Sequence, residues 1–235
     1  MTFNFTVKEF NLGNSTDAPP LQFYQNGFTI SSVYSSDYTE LEYIQSTGTQ
    51  YIDSGIVPKS FDYEIETIFA FDELNSGSVP ACAWGYMGSG TYPCWLLASY
   101  QNKYLLNANA TTAIGNQDTN KHTFLGKVYL AENNAPRWSA TIDNVTLLDD
   151  QVLPSDATFL DNTLSIYIFA RHNLVSDTES VGNFVAGKLY KHTVKKVGVI
   201  IQNLIPVKRN SDNVIGLYDT ITGTFFTNEG TGDFS

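Results

Sequence analysis

Tyr63-Glu64-Ile65-Glu66-Thr67-Ile68-Phe69-Ala70-Phe71 is the stretch that decides the fold. Tyr63, Ile65, Thr67, Phe69 and Phe71 alternate with Glu64, Glu66, Ile68 and Ala70, which is the period of a strand with one buried face. Outward from it, the sequence predicts further strands at Cys94–Tyr100, Tyr104–Ala108, His122–Leu130, Arg137–Ile142, Val145–Leu148 and Leu164–Ala170. Gly187–Val194, Lys196–Gln202, Val214–Tyr218 and Thr224–Thr227 follow toward the end. Ile142-Asp143-Asn144-Val145 reads as a tight hairpin, because Asp and Asn tolerate the positive φ of a two-residue turn. No stretch carries a helical period of useful length, so the chain is expected to be all-β, a sandwich or a barrel.

Composition agrees with that expectation. Aromatic residues make up 14% of the chain, 14 Tyr and 15 Phe among them, and flat side chains favour half-buried pleated surfaces. At 235 residues the chain is long enough to bury a full core as one large all-β domain. Thirteen basic against 24 acidic groups leave a net charge of -11, without the basic face that phosphate neutralisation needs, so no nucleic acid is expected as a partner. No stretch approaches the ~18 consecutive apolar residues of a membrane span, and no membrane insertion is expected. The opening MTFNFTVKEFNLGN shows no basic segment followed by an apolar run, hence no visible secretory signal.

Residues 1–39 differ from the rest. Phe3, Phe5 and Val7 alternate with polar residues, and a turn-rich break from Asn11 to Pro20 follows. This arm is too short to bury a core of its own, so it must pack on the main domain or on another molecule. Phe3, Phe5 and Val7 are its candidate anchoring residues. Cys82 and Cys94 flank a Gly-rich segment and are either a disulfide across a hairpin or free buried thiols. With no histidine near them, a zinc site is not expected, and no cofactor is assigned.

The segment Leu41-Glu42-Tyr43-Ile44-Gln45-Ser46-Thr47-Gly48-Thr49-Gln50-Tyr51-Ile52-Asp53-Ser54-Gly55 resembles the opening of laminin G-like, concanavalin-type domains that recur in gut bacterial and bacteriophage proteins. Ile166-Tyr167-Ile168-Phe169-Ala170-Arg171 is similar to that family's late core strand, and Gly187-Lys188-Leu189-Tyr190 to the strand after it. Leu204–Arg209, Gly216–Asp219 and Phe225–Asn228 look like its closing signature. The resemblance implies an antiparallel β-sandwich of the concanavalin A-like jelly-roll kind over 40–235, with 1–39 as an anchoring or assembly arm. It places Tyr167, Phe169, Tyr190, Tyr218 and Phe225 mostly in the core or between the sheets.

Family members serve as adhesion, carbohydrate-recognition or structural modules, so the implied function is non-enzymatic. A short chain with an arm and one lectin-like domain resembles a bacteriophage virion protein: a head fibre, a capsid decoration or a tail adhesion component. Its partners would be other virion proteins reached through the arm, copies of itself in a homo-oligomer, and a host-surface glycan. The alternative is a carbohydrate-binding module of a gut bacterium, at the cell surface or extracellular.

Trp84, Tyr86, Tyr92 and Trp95 surround flexible glycines, and as an aromatic loop they would stack on pyranose rings; alternatively Trp84 and Trp95 fill the core. The same sandwich carries laminarinase-type glycoside hydrolases, and Asp62, Glu64 and Glu66, spaced by two, would lie about 6 to 7 Å apart on one strand face. The Glu-x-Asp-x-x-Glu order of those enzymes is absent, so the acids read as a solvated face and no catalytic residue is assigned. His122, His172 and His192 are isolated in sequence and suggest no metal site.

Overall fold

The computed structural model describes residues 37–88, 94–108, 111–153 and 162–235. All of them belong to one compact unit, Tyr34–Ser235, and every regular element among them is a strand. The chain opens with β1 (Tyr38–Glu40), β2 (Ile44–Thr47), β3 (Ile52–Asp53) and β4 (Tyr63–Phe71). Next come β5 (Ala81–Met87), β6 (Cys94–Tyr100), β7 (Lys103–Ala108), β8 (Thr111–Asn116) and β9 (His122–Leu130). Then follow β10 (Pro136–Ile142), β11 (Val145–Val152), β12 (Tyr167–Ile168), β13 (Arg171–Val175) and β14 (Thr178–Gly182). The chain closes with β15 (Ala186–Lys196), β16 (Val199–Arg209), β17 (Ile215–Asp219) and β18 (Phe225–Phe226).

These strands form a sandwich of two sheets. One runs β11-β10-β9-β4-β15-β16-β17-β18, with β1 added to β16 and β2 to β15. The other runs β14-β13-β5-β6-β7-β8, with β12 bridging β3 and β5. Pairing is antiparallel throughout, except where β13 meets β5 in parallel. The predicted alternation of β4 is realised: Tyr63, Ile65, Thr67, Phe69 and Phe71 are buried, while Glu64, Glu66 and Ile68 are partly exposed. Between the sheets lies an aromatic core in which Phe69 meets Phe71 and Phe169, Phe71 meets Tyr104, and Trp84 meets Trp95 edge-on. The predicted hairpin is also present, with Asp143 and Asn144 at positive φ between the paired Ile142 and Val145.

Three local features depart from the sequence reading. The first is β5, where a loop was expected. Its Gly85 has φ +149°, and a Cβ there would lie 2.3 Å from the Cβ of Leu96, so this glycine serves close approach of β5 to β6, not flexibility. A bulge between Cys82 and Trp84 accompanies it. The second is β16, which runs unbroken to Arg209 through Pro206. Proline is tolerated there because pairing with β15 ends at Leu204 and pairing with β1 starts at Val207. The third is β1: Tyr38 and Thr39, assigned to the arm by sequence, pair with Arg209 and Lys208 as part of the sandwich. Tyr38 also packs on Tyr218 and Phe225.

The opening and closing motifs meet in space. Gln45 and Ser235 exchange backbone hydrogen bonds, Thr231 N–H donates to Thr49 O, and Glu229 N–H donates to Tyr51 O. Phe234 then seals the core against Phe169.

His192 on β15 is fully buried, with Nδ1 2.9 Å from Thr67 Oγ1 and its ring edge-on to Trp84. Burial disfavours the imidazolium and pulls its pKa from 6.5 down to about 3. Below the unfolded value the unfolded chain takes up a proton that the folded chain refuses. This contribution to stability is therefore complete above pH 6.5 and is lost as pH falls toward 3. Urea midpoints at about pH 7.5 and about pH 4.5 will differ less in His192→Gln than in the wild type; equal differences would remove His192 from the acid limb.

Candidate functional site

The aromatic residues singled out by sequence do not form a surface. Trp84 is 1% exposed and Tyr86 and Trp95 are 0% exposed, all within the core between the sheets. A ring that meets no solvent offers no face to a sugar, so the platform reading is corrected for these three. The alternation of β5 and β6 drives their rings inward, into the cluster between the sheets. Tyr92, like Phe3, Phe5 and Val7, lies outside the described residues.

The strand acids are structural as well. Asp62 stands before β4 at positive φ, its backbone N–H donating to Val128 O and its carbonyl accepting from Val197 N–H. Glu64 lies directly between Lys127 on β9 and Lys195 on β15, with contacts of 2.7 and 2.5 Å. Burial works to raise the Glu64 carboxyl, but the hydrogen bonds and charges of the two lysines outweigh it and hold the group below its ordinary value. A glycosidase acid needs the opposite shift.

No disulfide joins Cys82 and Cys94. Their strands place Cys82 opposite Ala98 and Cys94 opposite Met87, and burial pushes both thiols up to about 12. His122 is held at one end by two carboxylates, Nε2 to Asp118 and Nδ1 to Asp143. Burial opposes its charged form, yet these partners prevail and raise its pKa; Nε2 ties β9 to the β8–β9 connection through Asp118, and Nδ1 ties it to the β10–β11 turn through Asp143.

A different set of aromatics is half-buried with rings near one another. Tyr51, just before β3, and Tyr167 on β12 have ring centroids 4.9 Å apart. Tyr167 lies flat on the buried His172 ring, 4.0 Å away at 9°, and Phe184 stands edge-on to Tyr51 at 6.1 Å. Each ring is fixed from behind. Tyr51 N–H donates to Asn228 Oδ1, and Tyr167 pairs with both Asp53 and Gly85 through its backbone. His172 Nδ1 lies 3.1 Å from Ser165 O, and its Nε2 faces Glu179 at 3.3 Å.

Carboxylates rim this step. Burial raises the Tyr51 phenol, with Glu229 and Asp53 adding to the effect. Burial also pushes Tyr167 up to about 12, with Asp53, Tyr51, Glu179 and Glu229 contributing. Both hydroxyls therefore stay protonated at neutral pH as donors, beside acceptor-only oxygens. The parts of these rings that they and His172 leave uncovered, next to mixed donors and acceptors, suit a ligand with C–H faces and hydroxyl edges.

The sequence reading put Tyr167 in the core or between the sheets and assigned Tyr51 no role. The available signal was phase: Tyr167 lies between Ile166 and Ile168, both 0% exposed, so the residue between them must face the other way. Tyr51, between buried Gln50 and Ile52, follows the same rule.

No protein-family model matches the chain, and no curated protein matches it. Among solved structures, the CBM40 of a Ruminococcus gnavus IT-sialidase aligns at 14% identity and a TM-score of 0.44, over 69% of this chain and 91% of that one. The same CBM40 bound to alpha2,3 sialyllactose aligns at 14% and 0.43, over 70% and 92%. Its complex with alpha2,6 sialyllactose aligns at 13% and 0.43, again over 70% and 92%.

Glu64→Gln will leave Lys127 and Lys195 without their shared counter-charge and lower stability by about 1 kcal/mol. Denaturation in low salt and in about 1 M salt checks the origin, because screening will shrink the difference. A loss that does not change with salt would contradict an electrostatic role.

Proposed function

We propose that this chain is a carbohydrate-binding protein that takes a glycan on the step formed by Tyr51 and Tyr167. One observation carries the reading: two half-buried rings 4.9 Å apart, one of them braced flat on a buried imidazole, with Asp53, Glu179 and Glu229 around them. Aromatic side chains held this firmly lose little freedom when a ligand covers them, which favours binding. The carboxylates accept from sugar hydroxyls in charge-assisted hydrogen bonds, and the phenols donate. The reading agrees with the carbohydrate-recognition role that the laminin G-like resemblance implies, in a protein acting at a cell surface or outside the cell.

A glycan array probed with wild type, Tyr51→Ala and Tyr167→Ala tests it. Loss of either ring will weaken every glycan bound by wild type about tenfold or more. Val145→Ala, exposed on the outermost strand β11 of the other sheet, will change nothing. Equal binding by all four proteins, or none by wild type, would reject the site.

The virion role is a separate proposal resting on residues 1–39, with Phe3, Phe5 and Val7 as anchors to other virion proteins or to copies of the chain. Solution masses of the full chain and of a chain lacking residues 1–36, which spares β1, check it. An oligomer that falls to a folded monomer on deletion supports the arm as an assembly device. Two identical monomers exclude self-assembly through it.

A further inference from the structure

The aromatic step does not end at Tyr51. Phe184, edge-on to Tyr51 at 6.1 Å, also lines a cleft of about 410 Å³ at one end of the sandwich. That volume falls within the range of about 300–1,000 Å³ that holds small ligands. Phe71 and Val185 contribute apolar surface, and Glu73, Asn75 and Val79 come from the segment between β4 and β5. Asn75 is not mobile: its side-chain amide donates to Val79 O and Ser99 O, and its backbone N–H donates to Gln117 Oε1. Asn183, next to Phe184, likewise donates to Pro80 O, so the cleft wall is pinned from both sides. Phe184 thus belongs both to the aromatic step and to the concave cleft.

Charge defines what can occupy both. The step carries Asp53, Glu179 and Glu229, the cleft carries the exposed Glu73, and the whole chain has a net charge of -11. A sugar bearing its own carboxylate or sulfate would meet like charge at each surface, whereas uncharged hydroxyls would find acceptors.

Resting on the glycan-binding reading above, we propose that the ligand is a neutral oligosaccharide long enough to cross Phe184, with one sugar on the Tyr51–Tyr167 step and further units in the cleft. A single sugar fills one surface only; linking two occupied surfaces through one ligand makes the second contact intramolecular and raises affinity without new protein groups.

The test is an array of neutral linear glucans, galactans, mannans and xylans graded from one unit to roughly six, printed beside sialylated and uronic-acid-terminated glycans. Wild type will bind the neutral series, with affinity rising about tenfold or more between the disaccharide and the longer members. Phe184→Ala will flatten that rise. Because Phe184 is half-buried, a second variant guards against a folding defect: Val79→Trp, at an exposed position on the cleft rim, will also bring the long glycans down to the affinity of the short ones while leaving the short ones unchanged. Equal affinity for short and long glycans, a rise that survives both variants, or tighter binding of the acidic glycans would overturn the bridging proposal while leaving a sugar on the step. No binding to any printed glycan would overturn the underlying reading as well.

Discussion

Two sheets can close over a single apolar layer only if each strand sends alternate side chains inward and keeps the others out. That constraint governs the whole molecule. On β4 it buries Tyr63, Ile65, Phe69 and Phe71 and leaves Glu64 outside to be held by Lys127 and Lys195. On β5 and β6 it draws Trp84, Tyr86 and Trp95 into the interior. On β12 it turns Tyr167 outward, because both flanking isoleucines are needed within. The abundant aromatics therefore divide by phase into those that hold the sheets together and those left to meet a ligand.

Much of the fold was legible because phase was legible. β4, β6, β9 and the Asp143-Asn144 hairpin carry strong alternation or unambiguous turn chemistry, and the structure has them where the sequence puts them. β5 was misread because Gly85 looks like a flexible linker, whereas its lack of a Cβ admits the neighbouring strand. β13 and β14 were missed because Arg171–Val175 and Thr178–Gly182 are short and polar, and their strand character comes from pairing with each other and, for β13, with β5. The candidate site was hidden for a related reason. Tyr51, Tyr167, His172 and Phe184 are dispersed along the chain, and only the pairing of β3 with β12, together with the closing residues on Tyr51, brings them side by side.

Electrostatics separates structural from surface roles in the same way. His192 is stripped of its charge by burial, Glu64 is kept charged by flanking lysines, and Asp118 and Asp143 favour the charged form of His122 against its burial. In each case the titratable group has its hydrogen-bonding capacity spent inside the protein or is shut away from solvent. Asp53, Glu179 and Glu229 differ: they stand beside partly exposed rings without a lysine or arginine partner among the described contacts, and although Asp53 Oδ1 accepts from Gly55 N–H, oxygens remain to accept from a ligand's hydroxyls. Glu179 alone of the three also touches a protein ring nitrogen, that of His172, through one oxygen.

The most direct measurement is a crystal structure of the protein soaked with the tightest-binding neutral glycan found on the array. The account predicts a pyranose ring against Tyr51 and the open edge of Tyr167, with its hydroxyls on Asp53, Glu179 or Glu229. Sugar density elsewhere on the sandwich, with the Tyr51–Tyr167 step bare, would contradict it.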